Sequence, residues 1–124
     1  MDVIAQTDAF FAGKPGAWLA FETIKEKMIA RWPQTQLRVM KTCIVFEDKK
    51  PYLYVSHPPR KGMRGVWLSI SLRERMNHPR FAMLVPVSAR RFTAHIHIEE
   101  ADQVDEALIR LIEQARNVDK PMKS

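Results

Sequence analysis

Phe92-Thr93-Ala94-His95-Ile96-His97-Ile98 alternates apolar and polar side chains without a break. Successive side chains of a strand point to opposite faces, so this stretch predicts a strand with Phe92, Ala94, Ile96 and Ile98 on one side. Thr93, His95, His97 and Glu99 take the other side. Working back along the chain, Val66–Ser71 divides the same way, with Val66, Leu68 and Ile70 against Trp67, Ser69 and Ser71. Tyr52–Ser56 sets Leu53 and Val55 against Tyr52, Tyr54 and Ser56. One face is aliphatic. The other is expected to carry Tyr52, Tyr54, Trp67, Thr93, His95 and His97.

Further upstream, Leu37–Lys41 and Cys43–Glu47 read either as one strand or as two with a kink at Thr42. Both parities of the second segment are apolar, which suits a central strand. Asp48-Lys49-Lys50-Pro51 is a turn, and residues 57–65 form a long basic loop with two prolines and two glycines. Antiparallel neighbours joined in this way make a meander. Arg73 to Ala89, interrupted by Pro79 and Pro86, reads as irregular with one helical turn around Phe81–Leu84. This excursion is long enough to lie over the polar face.

Helices are expected at both ends. From Pro15 to Ala30, Ala17, Phe21, Ile24 and Met28 recur at helical spacing, and Pro15 suits a first turn whose N–H groups lack partners anyway. A short helical turn over Thr7–Phe11, ended by Gly13, precedes it. The second helix spans Asp102–Asn117, capped by Asp102 with Asp105 at its third position, and Val104, Leu108, Leu111, Ile112 and Ala115 form its apolar stripe. Terminal helices around an antiparallel run predict an α+β fold, a meander sheet with the N- and C-terminal helices packed on one face. The expected organisation is a single domain over residues 1–118 followed by a flexible tail over 119–124.

A chain of 124 residues has room for one core, and buries roughly two-thirds of its unfolded surface. One cysteine, Cys43, allows no internal disulfide. The acidic N-terminus lacks a signal-peptide pattern, and no apolar run approaches the ~20 residues of a membrane helix. The expected location is the cytoplasm, with no membrane contact.

The net charge of +6 is uneven. Lys49, Lys50, Arg60, Lys61, Arg64, Arg73, Arg75, Arg80, Arg90 and Arg91 face only Glu74 between residues 49 and 91, a local balance of +9. Clustered positive charge attracts polyanions or acidic partners. With Tyr52, Tyr54 and Trp67 on an uncovered face and Arg60, Lys61 and Arg64 at its margin, the chemistry is that of a surface that stacks bases and attracts phosphates. The same face equally suits a homodimer interface.

Catalytic and metal signals are sparse. His95 and His97, two apart on a strand, can both reach one ion, but His57, His78, Glu99 and Cys43 stand at no ligand spacing, so neither a metal nor a cofactor is expected. Cys43 in an apolar strand reads as a buried thiol. No serine stands in a glycine-flanked elbow and no phosphate loop is present. Arg80 follows Asn77-His78-Pro79, a turn able to place an arginine at a pocket.

Phe10-Phe11-Ala12-Gly13-Lys14, Val39-Met40-Lys41-Thr42-Cys43-Ile44-Val45-Phe46, Lys50-Pro51-Tyr52, Arg80 after a proline, His95, and Asp102-Gln103-Val104-Asp105 occur in one order. Together they resemble an uncharacterised bacterial family, the domain-of-unknown-function family 5655, over nearly the whole chain. That family is similar in outline to the YdhG and YjbR groups, whose antiparallel sheet is backed by terminal helices. The resemblance implies no activity; it implies Lys41, Arg80 and His95 as surface-site positions. An isoleucine separates His95 from His97, where the family pattern has adjacent histidines.

The leading expectation is a small binding or accessory module with an anion-attracting region. One alternative is a nucleic-acid-binding module that uses the aromatic face. Another is a minor enzyme built on His95, His97 and Arg80.

Overall fold

The computed structural model describes residues 2–118; the expected tail at 119–124 lies outside the described residues. The order is α1 (Val3–Phe10), α2 (Pro15–Arg31), β1 (Gln36–Val39), β2 (Cys43–Asp48), β3 (Lys50–Ser56), β4 (Val66–Leu72), β5 (Met83–Ser88), β6 (Arg91–Ile98), a short 3₁₀ turn (Ala101–Gln103) and α3 (Glu106–Arg116). The fold is α+β, with one six-stranded antiparallel sheet ordered β1-β2-β3-β4-β6-β5.

Four strands follow as a meander, and then the order changes. The chain leaves β4, passes over the helix side, forms the edge strand β5 and returns as β6 between β4 and β5. Residues 83–88 are therefore a strand rather than irregular chain. Pro86 is tolerated because β5 pairs with β6 only, and the other edge needs no N–H. The two upstream segments form a hairpin, β1 pairing with β2 from Gln36↔Glu47 to Val39↔Ile44.

Both long helices cover the aliphatic face. Phe21, Ile24 and Met28 of α2 join Leu108 and Ile112 of α3 over Ile44, Leu53, Val55, Leu68 and Ile96, and all ten are at most 1% exposed. Each such side chain contributes roughly 1.5–3 kcal/mol on leaving water. Arg31 spans the two helices, reaching Glu106 and Glu113 at 3.2 Å each. The first helix is longer than a turn: Asp2 caps it, its Oδ1 accepting from the Ala5 N–H at 2.8 Å. At the other end the helix starts later than expected. Asp105, not Asp102, is the cap of α3, accepting from the Leu108 N–H at 3.0 Å. Asp102 lies in the 3₁₀ turn, which is closed by a reciprocal Glu100–Gln103 capping box.

The excursion after β4 does not cover the polar face. Met76 and Phe81 pack against the core on the helix side, and Arg80 reaches α3. Across the opposite face, register sets side chains in rows: Val45, Tyr54, Ser69, His95 and Met83 in one, and Cys43, Ser56, Trp67 and His97 in the next.

Candidate functional site

A concavity of about 600 Å³ lies where loop 57–65 overhangs the start of α2 and the chain just after β6. Both ends of the loop are fixed. At its start, His57 stacks on Phe10 with ring centroids 4.3 Å apart, and meets Phe11 edge-on at 5.7 Å. Burial, and then the nearby Lys14 ammonium, hold the His57 pKa below the ordinary value. At its end, Gly65 takes a φ of +82° and lies against the backbone of Ile98 and Glu99. Next to it, His97 Nε2 hydrogen-bonds the Arg64 carbonyl, while the Arg64 guanidinium meets Glu99 at 3.2 Å and Glu100 at 3.7 Å. Pro58 and Pro59 restrict the span between.

The lining has two characters. Lys14, Arg60 and Lys61 bring positive charge, and among the described residues none of the three pairs with a carboxylate. Arg64 offsets only one of the two lining carboxylates, Glu99 and Glu100, which leaves the cleft with a net formal charge of +2. At the floor, the α2 cap residue Lys14 offers no side-chain acceptor, and Pro15 stands in the first turn. The N–H groups of Gly16 and Ala17 are thus unpaired ends of a 17-residue helix, which favours negative charge nearby. Ala17, Leu19, Pro58 and Met63 supply an apolar wall, with Leu19 55% exposed. Such a bounded cleft, part apolar and part cationic, has the size range and composition of small-ligand sites.

The other residues singled out from the sequence are not gathered here. Tyr52 is in the core: the bulge between Phe46 and Glu47 turns it to the helix side. There it meets Trp32 and Phe46, its hydroxyl bonds Thr35 Oγ1 at 2.9 Å, and burial raises its pKa. Trp67 does face the opposite side but is only 8% exposed, stacked on His95 at 5.5 Å and beside His97 at 5.9 Å. Tyr54 is the one ring of the three that stands out from that face, at 38% exposure. Lys41 is exposed in the β1–β2 turn.

Arg80 lies on the helix side. It donates to both Asp105 oxygens at 3.0 and 3.1 Å and to the Gln103 carbonyl at 2.6 Å, so it fastens the β4–β5 connection to the start of α3. His95 and His97 point to the opposite face, so an Arg80-histidine site is not assembled. Ser69 Oγ and His95 Nδ1 do form a 2.8 Å hydrogen bond, and burial lowers the His95 pKa. Both residues sit in inner strands with the sheet ladder on each side, so no free N–H pair stands ready to stabilise an oxyanion. Among the described residues, no cluster of three or more His, Cys, Asp or Glu side chains could hold a metal ion. No helix among them is long and apolar enough to cross a membrane.

The basic residues divide between the two ends of the sheet. Arg60, Lys61 and Arg64 surround the cleft, whereas Lys50, Arg73 and Arg91 lie at the far ends of β3, β4 and β6, roughly 20 Å away along strands of seven or eight residues. A sequence-level cluster of positive charge is therefore two patches. The missed contributors to the cleft, Lys14 and Gly16, come from the first helical turn, and nothing in their spacing ties them to residues 57–65.

No curated protein and no solved structure matches the chain. The family model described as Domain of unknown function (DUF5655) matches residues 7–117, nearly the whole chain, and the protein belongs to that family.

Proposed function

We propose that this protein is a cytoplasmic binding module whose ligand is a small organic anion held in the cleft beneath loop 57–65. The observation that carries the reading is the pair Arg60 and Lys61, without carboxylate partners, on a loop fixed at both ends over a cleft of about 600 Å³. Fixing the loop before binding reduces the ordering cost of association. The cations and the helix start would take the anionic group, and Leu19, Pro58 and Met63 would contact an apolar body. A ligand of bounded size suits this geometry better than a polyanion track, because the second basic patch stands at the far end of the sheet.

Phenyl phosphate combines the two chemistries and serves as the probe. Titration calorimetry should give tighter binding of phenyl phosphate than of inorganic phosphate, and weaker binding at high salt because the cations are exposed. Arg60→Ala Lys61→Ala should reduce the affinity at least about tenfold, the loss of about 1.4 kcal/mol. Equal affinity in wild type and variant would dismiss the cleft as the binding site.

A further inference from the structure

The sheet face opposite the helices carries a second, chemically different concavity. It is a shallow trough of about 490 Å³, and a neighbouring depression of about 340 Å³, which turns round the end of the sheet toward Ala115 and Val118, shares Tyr54, Ser71 and Thr93 with it. Although 27% of the chain is charged, no Asp, Glu, Lys or Arg lines the first depression. Hydroxyls line it instead: Thr42, Tyr54, Ser56, Ser69, Ser71 and Thr93. Lys50 and Arg91 line only the neighbouring depression.

Two of these hydroxyls are engaged within the protein. Ser69 bonds His95 at 2.8 Å and Ser56 donates to the Trp67 carbonyl at 3.4 Å, which stiffens the floor around the stacked Trp67 and His95 rings. The side chains of Thr42, Tyr54, Ser71 and Thr93 make no hydrogen bond among the described residues. A hydroxyl both donates and accepts, and a trough of free hydroxyls beside one protruding aromatic ring matches a ligand that does the same along its length. Charge complementarity separates the candidates. The uncharged lining of the 490 Å³ trough offers nothing to a phosphate backbone, and of the rings needed for base stacking only Tyr54 is open.

We infer that this trough binds a neutral, hydroxyl-rich chain, an oligosaccharide, with Tyr54 packing on a sugar face and Ser71 and Thr93 bonding its hydroxyls. The site is independent of the anion cleft. The test titrates the ¹⁵N-labelled full chain with neutral tetrasaccharides of glucose, xylose, mannose and N-acetylglucosamine. At least one should shift amides of Tyr54, Ser71 and Thr93. Tyr54→Ala should weaken that binding about tenfold, and so should the shape-conserving Thr93→Val, each checked for folding by its melting curve. Arg60→Ala Lys61→Ala should leave it unchanged. The inference is overturned if none of the four sugars shifts these residues, or if binding survives both trough variants. It is equally overturned if oligothymidylate rather than a sugar binds there, or if the wild type sediments as a dimer that Tyr54→Ala dissociates.

Discussion

Gly65 lies so close to Ile98 that a Cβ built on it would stand 2.0 Å from the Ile98 carbonyl oxygen, and 2.6 Å from the Glu99 Cα. Both neighbours are backbone and cannot step aside as a flexible side chain would. The φ of +82° adds a second reason for glycine. Gly65 is thus the point at which the cleft loop is seated on the end of β6.

Gly65→Ala should lower unfolding stability by roughly 1–3 kcal/mol, the range for a residue forced into a disfavoured backbone conformation. Because the loop must also lift, phenyl phosphate affinity should fall even where the variant remains folded. Chemical denaturation and calorimetry on the same sample check both outcomes. An unchanged melting midpoint would mean that the loop is not seated on Ile98.

Asp105 has two structural roles, as the cap of α3 and as the acceptor for Arg80. The Leu108 N–H, and then the Arg80 guanidinium, hold its carboxyl below the ordinary range. Asp105→Ala should cost about 1–2 kcal/mol, of which the cap accounts for most, since the carboxylate is largely solvated. A carboxylate with a depressed pKa stabilises the fold above its unfolded pKa of about 3.9, and that contribution is lost as pH falls through the lower folded value. The difference in stability between wild type and Asp105→Ala should therefore shrink in acid below about pH 4.

Tyr52 is held by burial, and its phenol should titrate above the ordinary tyrosine range in an absorbance titration. A raised pKa favours folding below the unfolded value of about 10, and the contribution is lost as pH rises past it. Tyr52→Phe would leave Thr35 Oγ1, in a residue only 8% exposed, without its partner, at a cost of about 1–3 kcal/mol. An unperturbed Tyr52 titration would place the side chain on the open face instead.

Burial holds the pKa of both His57 and His95 below the ordinary value, with Lys14 adding to the effect at His57. For a histidine whose folded pKa is lowered, the native state binds fewer protons than the unfolded chain. That stability is present above the unfolded pKa of about 6.5 and declines as pH falls through the folded values. Denaturation midpoints should fall as pH drops below about 6.5, and His57→Asn His95→Gln should flatten the decline.

Much of the fold was legible because its period was clean. The alternation over 92–98 and the stripe from Leu108 to Ala115 each name a buried face without knowledge of their neighbours. What escaped depended on contacts between distant segments. Tyr52 obeys strand parity on paper, but a bulge opposite Phe46 reverses its side. Pro86 masks β5, because an edge strand needs only half of its backbone groups. Asp102 and Asp105 both look like caps, and the Glu100–Gln103 box decides between them by taking the first turn for itself. As for the site, the cations of loop 57–65 were visible in the sequence. Their division from the patch at the other end of the sheet, and the contribution of Lys14 and the α2 start, appear only once the strands are paired.

The proposed anion site requires binding at the cleft rather than wherever positive charge is densest in the sequence. Amide chemical-shift mapping with phenyl phosphate tests it most directly, since it reads every backbone N–H at once. An anion site at the cleft should give saturable shifts concentrated at residues 13–17 and 57–65, with little change at Lys50, Arg73 and Arg91. Shifts centred on those three residues, or spread over both ends of the sheet without saturation, would contradict it.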